Sequence, residues 1–190
     1  MSRKYELKRR AETQSETRRR IVAATVGLHT TVGPARTTIS AIADQAGVQR
    51  HTVYAHFPDE RTLFLACSTH WRELHPLPNS GRWEGIADPA RRLRVALQNV
   101  YAWYELVEDD LAIFSRDAGV HELTAELVGR RERAIDSLRA ELADGWPRRR
   151  VVQAAIGHAL DFETWRSLVR RHGLTPKQVV DAMLSFVASV

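Results

Sequence analysis

Cysteine is nearly missing: Cys67 is the only one in 190 residues. A single thiol cannot build an internal disulfide framework, and this composition fits a reducing, cytoplasmic setting. Long apolar runs are missing as well. No stretch approaches the ~18 uninterrupted apolar residues of a membrane-spanning helix. The charged start MSRKYELKRRAETQ has no apolar core of the signal-peptide kind. Alternating β-branched runs and Asn-Gly hairpin turns are absent, so the chain reads as all-α. Nucleophile elbow, HExxH pair, Gly-rich phosphate loop and CxxC pair are absent too, which removes the usual sequence grounds for an enzyme. Glu108-Asp109-Asp110 is an acidic trio, but it falls where one helix should end and the next begin, and capping and solvation explain it. His51 and His56 have metal-like spacing with no cysteine pair before them. No metal and no cofactor is expected.

Acidic charge is scarce at one end. Residues 1–58 hold 10 Lys and Arg against 4 Asp and Glu, and residues 59–190 hold 18 against 19. A basic module on a near-neutral remainder is the electrostatic footprint of a nucleic-acid binder, although membrane surfaces attract cations too. Inside that module lies TTISAIADQAGVQRHTVYAHF, residues 37–57. Ile39, Ile42, Ala43 and Ala46 recur at helical spacing. Thr38 precedes them as a cap, and Gly47 follows where a left-handed residue ends a helix. The second helix, 49–54, buries Val53 and presents Gln49, Arg50, His51, Thr52 and Tyr54. Such donors are the side chains that read base edges in a major groove. An ordinary solvated helical hairpin would show the same pattern.

The run from Thr38 to Asp59, followed by Leu63-Phe64, resembles the N-terminal domain of the TetR family of transcriptional regulators. The likeness covers roughly residues 13–70, with a fainter echo at 161–168. It implies a three-helix DNA-binding domain joined to a helical ligand-binding and dimerisation domain, about nine helices in all. The expected division is a basic flexible arm over 1–12, the helix-turn-helix domain over 13–58 and the effector and dimer domain over 59–190. DNA contacts are expected from Arg36, Thr38, Gln49, Arg50, His51, Thr52, Tyr54 and His56. One departure concerns the position after the Asp59 cap. The family commonly has a phosphate-touching lysine there; this chain has Glu60, with Arg61 next.

Local signals order the rest. Thr13-x-x-Glu16 is a capping-box pattern and predicts the start of helix 1. Gly33-Pro34 breaks the chain before the helix-turn-helix. Leu63, Cys67, His70, Trp71 and Leu74 mark the stripe of a helix begun by Asp59. Residues 75–81 read as a linker, and Trp83 lies beyond it in no assigned element. Asp88-Pro89 opens helix 5. A short helix 6 is expected over 111–118, ending at Gly119, and helix 7 runs to Leu142. Helix 8 is expected from Pro147 to Gly173, and helix 9 follows the Thr175-Pro176 cap.

Helices 8 and 9 carry apolar residues on more than one face, which implies burial on two sides. The family likeness makes them a homodimer bundle through Val152, Ala155, Ile156, Ala159, Val180, Met183, Leu184 and Val187. A twofold pair would read a pseudo-palindromic operator in double-stranded DNA. Tyr101, Trp103, Tyr104, Phe114, His121, His158, Phe162 and Trp165 are candidates to line a small-molecule effector pocket. The expected function is a repressor released by an effector. An architectural DNA binder without effector is the alternative, and a helical enzyme a more distant one.

Overall fold

A computed structural model describes residues 3–147 and 149–190, leaving out the side chains of residues 3–5 and 7. Residues 1 and 2 of the expected arm, and the Arg3 and Lys4 side chains, lie outside the described residues. Among the described residues there are nine α-helices and no strand. They are α1 (Arg3–His29), α2 (Ile39–Ala46), α3 (Arg50–His56), α4 (Glu60–Leu74), α5 (Pro89–Ala118), α6 (Glu122–Leu142), α7 (Arg150–Ala159), α8 (Phe162–Arg166) and α9 (Pro176–Ala188). Short 3-10 turns stand at Pro34–Arg36 and Ser80–Arg82, and a π-turn, Ser167–Arg171, continues α8.

The backbone packs as two compact units. The first holds the residues up to Pro76 together with Asp109–Val128, and the second holds Leu77–Glu108 with Gly129–Val190. The packing boundary therefore differs from a division after residue 58. The chain changes unit inside α5, just past Val107, which leaves helical geometry at φ −118° and ψ 17°.

In the first unit, Ile21, Ala24, Ile42, Ala43, Ala46, Val53, Phe57 and Leu63 form one core. Ile21 and Val53 are fully buried, each contributing roughly 1.5–3 kcal/mol of burial. The caps follow the sequence signals. Thr38 Oγ1 accepts the Ala41 N–H at 3.2 Å, and Gly47 takes φ 63° at the end of α2. Asp59 accepts the Thr62 N–H at 2.7 Å and starts α4. Leu74, expected on the buried stripe of α4, is 58% exposed.

In the second unit, Tyr101 and Tyr104 donate their hydroxyls to Ala159 O and Leu160 O, both at 2.6 Å. Burial raises both phenols far above their usual range. Trp83, without an element in the sequence reading, is wholly buried, and its indole N–H donates to Glu141 at 2.9 Å. Thr175 and Gln178 cap α9 reciprocally.

Three helix limits differ from expectation. Helix 1 starts at Arg3, so Thr13 is interior, and its hydroxyl bonds back to Arg9 O at 2.9 Å instead of capping. The expected helices 5 and 6 are one assigned helix with a kink at Val107. The expected helix 8 starts at Arg150 rather than Pro147 and is broken after Ala159. Asp161 restarts it by accepting the Thr164 N–H at 2.8 Å.

Candidate nucleic-acid interface

α3 is held from behind and open in front. Val53 and Phe57 anchor it in the core, while Arg50, His51 and Tyr54 are exposed and Thr52 is half-buried. Gln49 is the N-cap of α3 but makes no side-chain cap bond, so its amide is not used in closing the helix. These five are the polar residues left outside the core on this two-turn rod. His56 is half-buried at the end of α3, and its backbone carbonyl accepts Arg18 Nη1 at 3.1 Å. The Arg18 guanidinium also lies 4.1 Å from the centre of the Phe57 ring, a cation–π contact that ties α1 to the end of α3. Arg36 is exposed in the 3-10 turn before α2. Thr38 is exposed as well, with its oxygen already accepting the cap bond.

The start of α4 is tied at the surface to α6 and the residue before it. Arg61 forms a two-pronged pair with Glu126 of α6, at 2.9 and 2.7 Å. Glu60 Oε1 shares a hydrogen bond with His121 Nε2 at 3.0 Å. Arg61 thus faces a carboxylate in this structure.

Behind this face, the end of α5 and the start of α6 close the first unit. Asp117 accepts the Ala35 N–H at 3.0 Å and Arg116 Nε at 2.7 Å, and Arg116 Nη2 donates to Val32 O at 3.0 Å. Desolvation pushes the Asp117 carboxyl up, but the bonds from Arg116 and Ala35 and the nearby Arg36 charge outweigh it and hold the acid below its ordinary value. Gly33 adopts φ 98°, and a Cβ there would fall 2.3 Å from Asp117 Oδ2. Glycine is needed at this turn for both conformation and space. Trp71 Nε1 donates to Asp110 at 2.6 Å, and the Phe114 ring meets Trp71 edge-on at 5.5 Å. His29 lies 3.5 Å from Cys67 Sγ and 5.7 Å from the Phe64 ring centre. Burial, with His121 nearby, lowers the His29 pKa to about 4, and burial raises the Cys67 thiol to about 12. A cavity of about 20 Å³ remains among Val26, His29, Phe64, Cys67, Trp71 and Phe114.

The residues expected to line an effector pocket divide between the units. Phe114 and His121 fall in the first unit, and Phe114 lines its small cavity. Tyr101, Trp103, Tyr104, His158, Phe162 and Trp165 fall in the second. There Tyr104 packs on Phe162, Trp165 and Trp103 with ring centres 5.2–5.7 Å apart, whereas His158 is exposed and meets Phe186 edge-on. The residues expected at a dimer face, Val152, Ala155, Ile156, Ala159, Val180, Met183, Leu184 and Val187, are all buried within the single chain. Val151 and Phe186, which are not among the residues expected at the dimer face, are 50% and 40% exposed. Their signal is present in the sequence, as apolar residues off the main stripe of α7 and α9.

Residues 21–67 match the family model for bacterial regulatory proteins of the tetR family. The chain is similar to the HTH-type transcriptional regulator TtgR of Pseudomonas putida, 35% identical over 104 residues. That match covers 54% of this chain and 49% of TtgR. The chain thus spans about half the length of the curated relatives it matches. Among solved structures, a TetR-like transcriptional regulator from Rhodococcus sp. RHA1 shares the fold with TM-score 0.64 and 19% identity, over 90% of this chain and 93% of that one. AibR, solved in complex with isovaleryl coenzyme A and operator DNA, shares it with TM-score 0.59 and 20% identity, over 89% and 96%. No helix among the described residues is long and apolar enough to cross a membrane. The segment that carries α2 and α3 is thus similar to the bacterial regulatory proteins of the tetR family.

Proposed function

We propose that this chain is a cytoplasmic DNA-binding transcriptional regulator and not an enzyme. It acts as a homodimeric repressor on a pseudo-palindromic operator and is released by a small molecule. One observation carries the reading: the exposed, donor-rich face of α3, with Arg50, His51 and Tyr54 outside and Val53 fully buried behind them. That arrangement suits insertion into a major groove. AibR's complex with operator DNA and a small molecule supports both halves of the proposal by analogy. DNA contacts are assigned to Arg50, His51, Thr52 and Tyr54, with Gln49, His56, Arg36 and Thr38 in support.

For the effector, the first unit's cavity with Phe114 is the better-supported place. It now holds about one water-sized occupant, far below the ~300–1,000 Å³ of a ligand pocket. Effector binding therefore selects a more open state, and that differential affinity is what moves the DNA equilibrium. Dimer contacts are assigned to the exposed apolar residues of α7 and α9, Val151 and Phe186, above the buried stripe expected from sequence.

Selection of bound fragments from a random duplex library tests the function. The expected product is one inverted repeat, with half-sites about one helical turn apart, bound by two chains. Recovery of unrelated sequences with no common repeat would leave an architectural DNA binder instead.

A further inference from the structure

Between α1, the first 3-10 turn, α2 and the start of α4, the first unit holds a larger cavity of about 260 Å³. That is close to the ~300 Å³ at which small-ligand sites begin. Its floor is apolar and buried: Pro34, Ile42, Leu63 and Phe64. Ile39, Thr37 and His29 are half-buried around it, and Tyr54 and Glu60 are its exposed rim. His29, Pro34 and Phe64 also line the 20 Å³ cavity.

The chemistry of the lining selects the occupant. Glu60 is the only acid among these residues, and no Lys or Arg lines the cavity. Glu60 Oε1 is held by His121, while Oε2 has no partner among the described residues. Arg61, next in the chain, is spent on Glu126 and leaves the Glu60 charge standing. Burial keeps His29 uncharged at neutral pH, with its pKa lowered to about 4. Thr25 and Thr37 donate their hydroxyl protons to Ile21 O and Gly33 O, both at 2.8 Å, so only oxygen lone pairs remain. Tyr54 adds an aromatic ring at the rim, and ring faces attract cations. An apolar floor, acceptor oxygens and one carboxylate suit a small organic cation and repel an anion.

We propose that this cavity binds a small primary ammonium with an apolar body, its head on Glu60 and its body on Ile39, Ile42, Leu63 and Phe64. The proposal is independent of the regulator reading, because its binding is measured without DNA.

The test titrates the full chain by calorimetry at neutral pH with benzylammonium, benzyl alcohol and benzoate, probes of one size and three charges. Benzylammonium should bind saturably with a Kd of about 1 mM or tighter. Benzyl alcohol and benzoate should bind about fivefold more weakly or less, lacking the charge-assisted hydrogen bond. Glu60→Gln should weaken benzylammonium by about fivefold or more, whereas Glu73→Gln, an equal charge change elsewhere on α4, should not. Ile39→Phe, which narrows the cavity, should abolish binding, with circular dichroism as the fold control. If that variant does not fold, the Glu60→Gln and Glu73→Gln pair decides alone. No saturable binding, equal binding of the three probes, full retention in Glu60→Gln, equal loss in both glutamate variants, or retention in a folded Ile39→Phe would overturn the site.

Discussion

Arg50 and Tyr54 illustrate how burial and exposure separate function from stability at single residues. Both project from α3 and neither contributes to the core beneath. Arg50→Ala or Tyr54→Ala should weaken operator binding by about 1–3 kcal/mol, roughly 5- to 150-fold, with the melting temperature nearly unchanged. Anisotropy titration beside a thermal melt checks both halves. His29 is the opposite case. Its folded pKa is lowered to about 4 from 6.5, chiefly by burial. Between those values the unfolded chain takes up a proton that the folded chain refuses, so stability rises with pH across that window and is complete above it. Unfolding in urea should be easier at pH 5 than at pH 7 by about 2 kcal/mol. His29→Gln should flatten that difference, and an unaltered pH dependence would show that the ring is not shielded as described.

At the level of elements, helix ends marked by local chemistry are legible. Thr38, Gly47, Asp59 and Thr175 act within three or four residues of themselves, and the structure has each where the pattern points. The ends that mislead depend on more distant partners. Thr13-x-x-Glu16 has the letters of a capping box, but a helix already formed upstream turns the threonine hydroxyl onto its own backbone. The break after Ala159 has no glycine or proline at it. It coincides with the Ala159 and Leu160 carbonyls, which receive the phenols of Tyr101 and Tyr104 from α5, a partnership 56 or more residues away in sequence. Most of the aromatic residues do face inward as their spacing suggests, but nothing in helical spacing could divide them between two units. One element-scale prediction concerns Glu108, near the kink in α5, which pairs with Arg170 and Arg166 of the π-turn region. The bonds from Arg170, then the Arg166 charge, hold its carboxyl below the ordinary value despite desolvation. Glu108→Ala should cost about 1–2 kcal/mol, because both guanidinium groups are partly exposed and regain water. Chemical denaturation of the variant measures it, and a change within error would reduce the cluster to a surface ornament.

At the scale of the whole molecule, the proposal rests on two surfaces: the polar face of α3 in the first unit and the apolar residues left outside on α7 and α9. Phe186→Lys places a charge where the second chain is proposed to sit. Sedimentation velocity should show a shift from dimer towards monomer at micromolar concentration, and operator affinity should fall with it. A dimer that persists would move the interface elsewhere. The residues 109–128 have a further consequence. Their carboxylates, rings and guanidinium groups complete the covering of the Gly33 turn, Phe64 and Trp71 from a place in the chain some 30 residues beyond Pro76. The unit that carries α3 is therefore not a cassette. A graft that moved only the first 76 residues onto another protein would arrive without the piece that finishes it, so recombination must carry both stretches together or leave both behind.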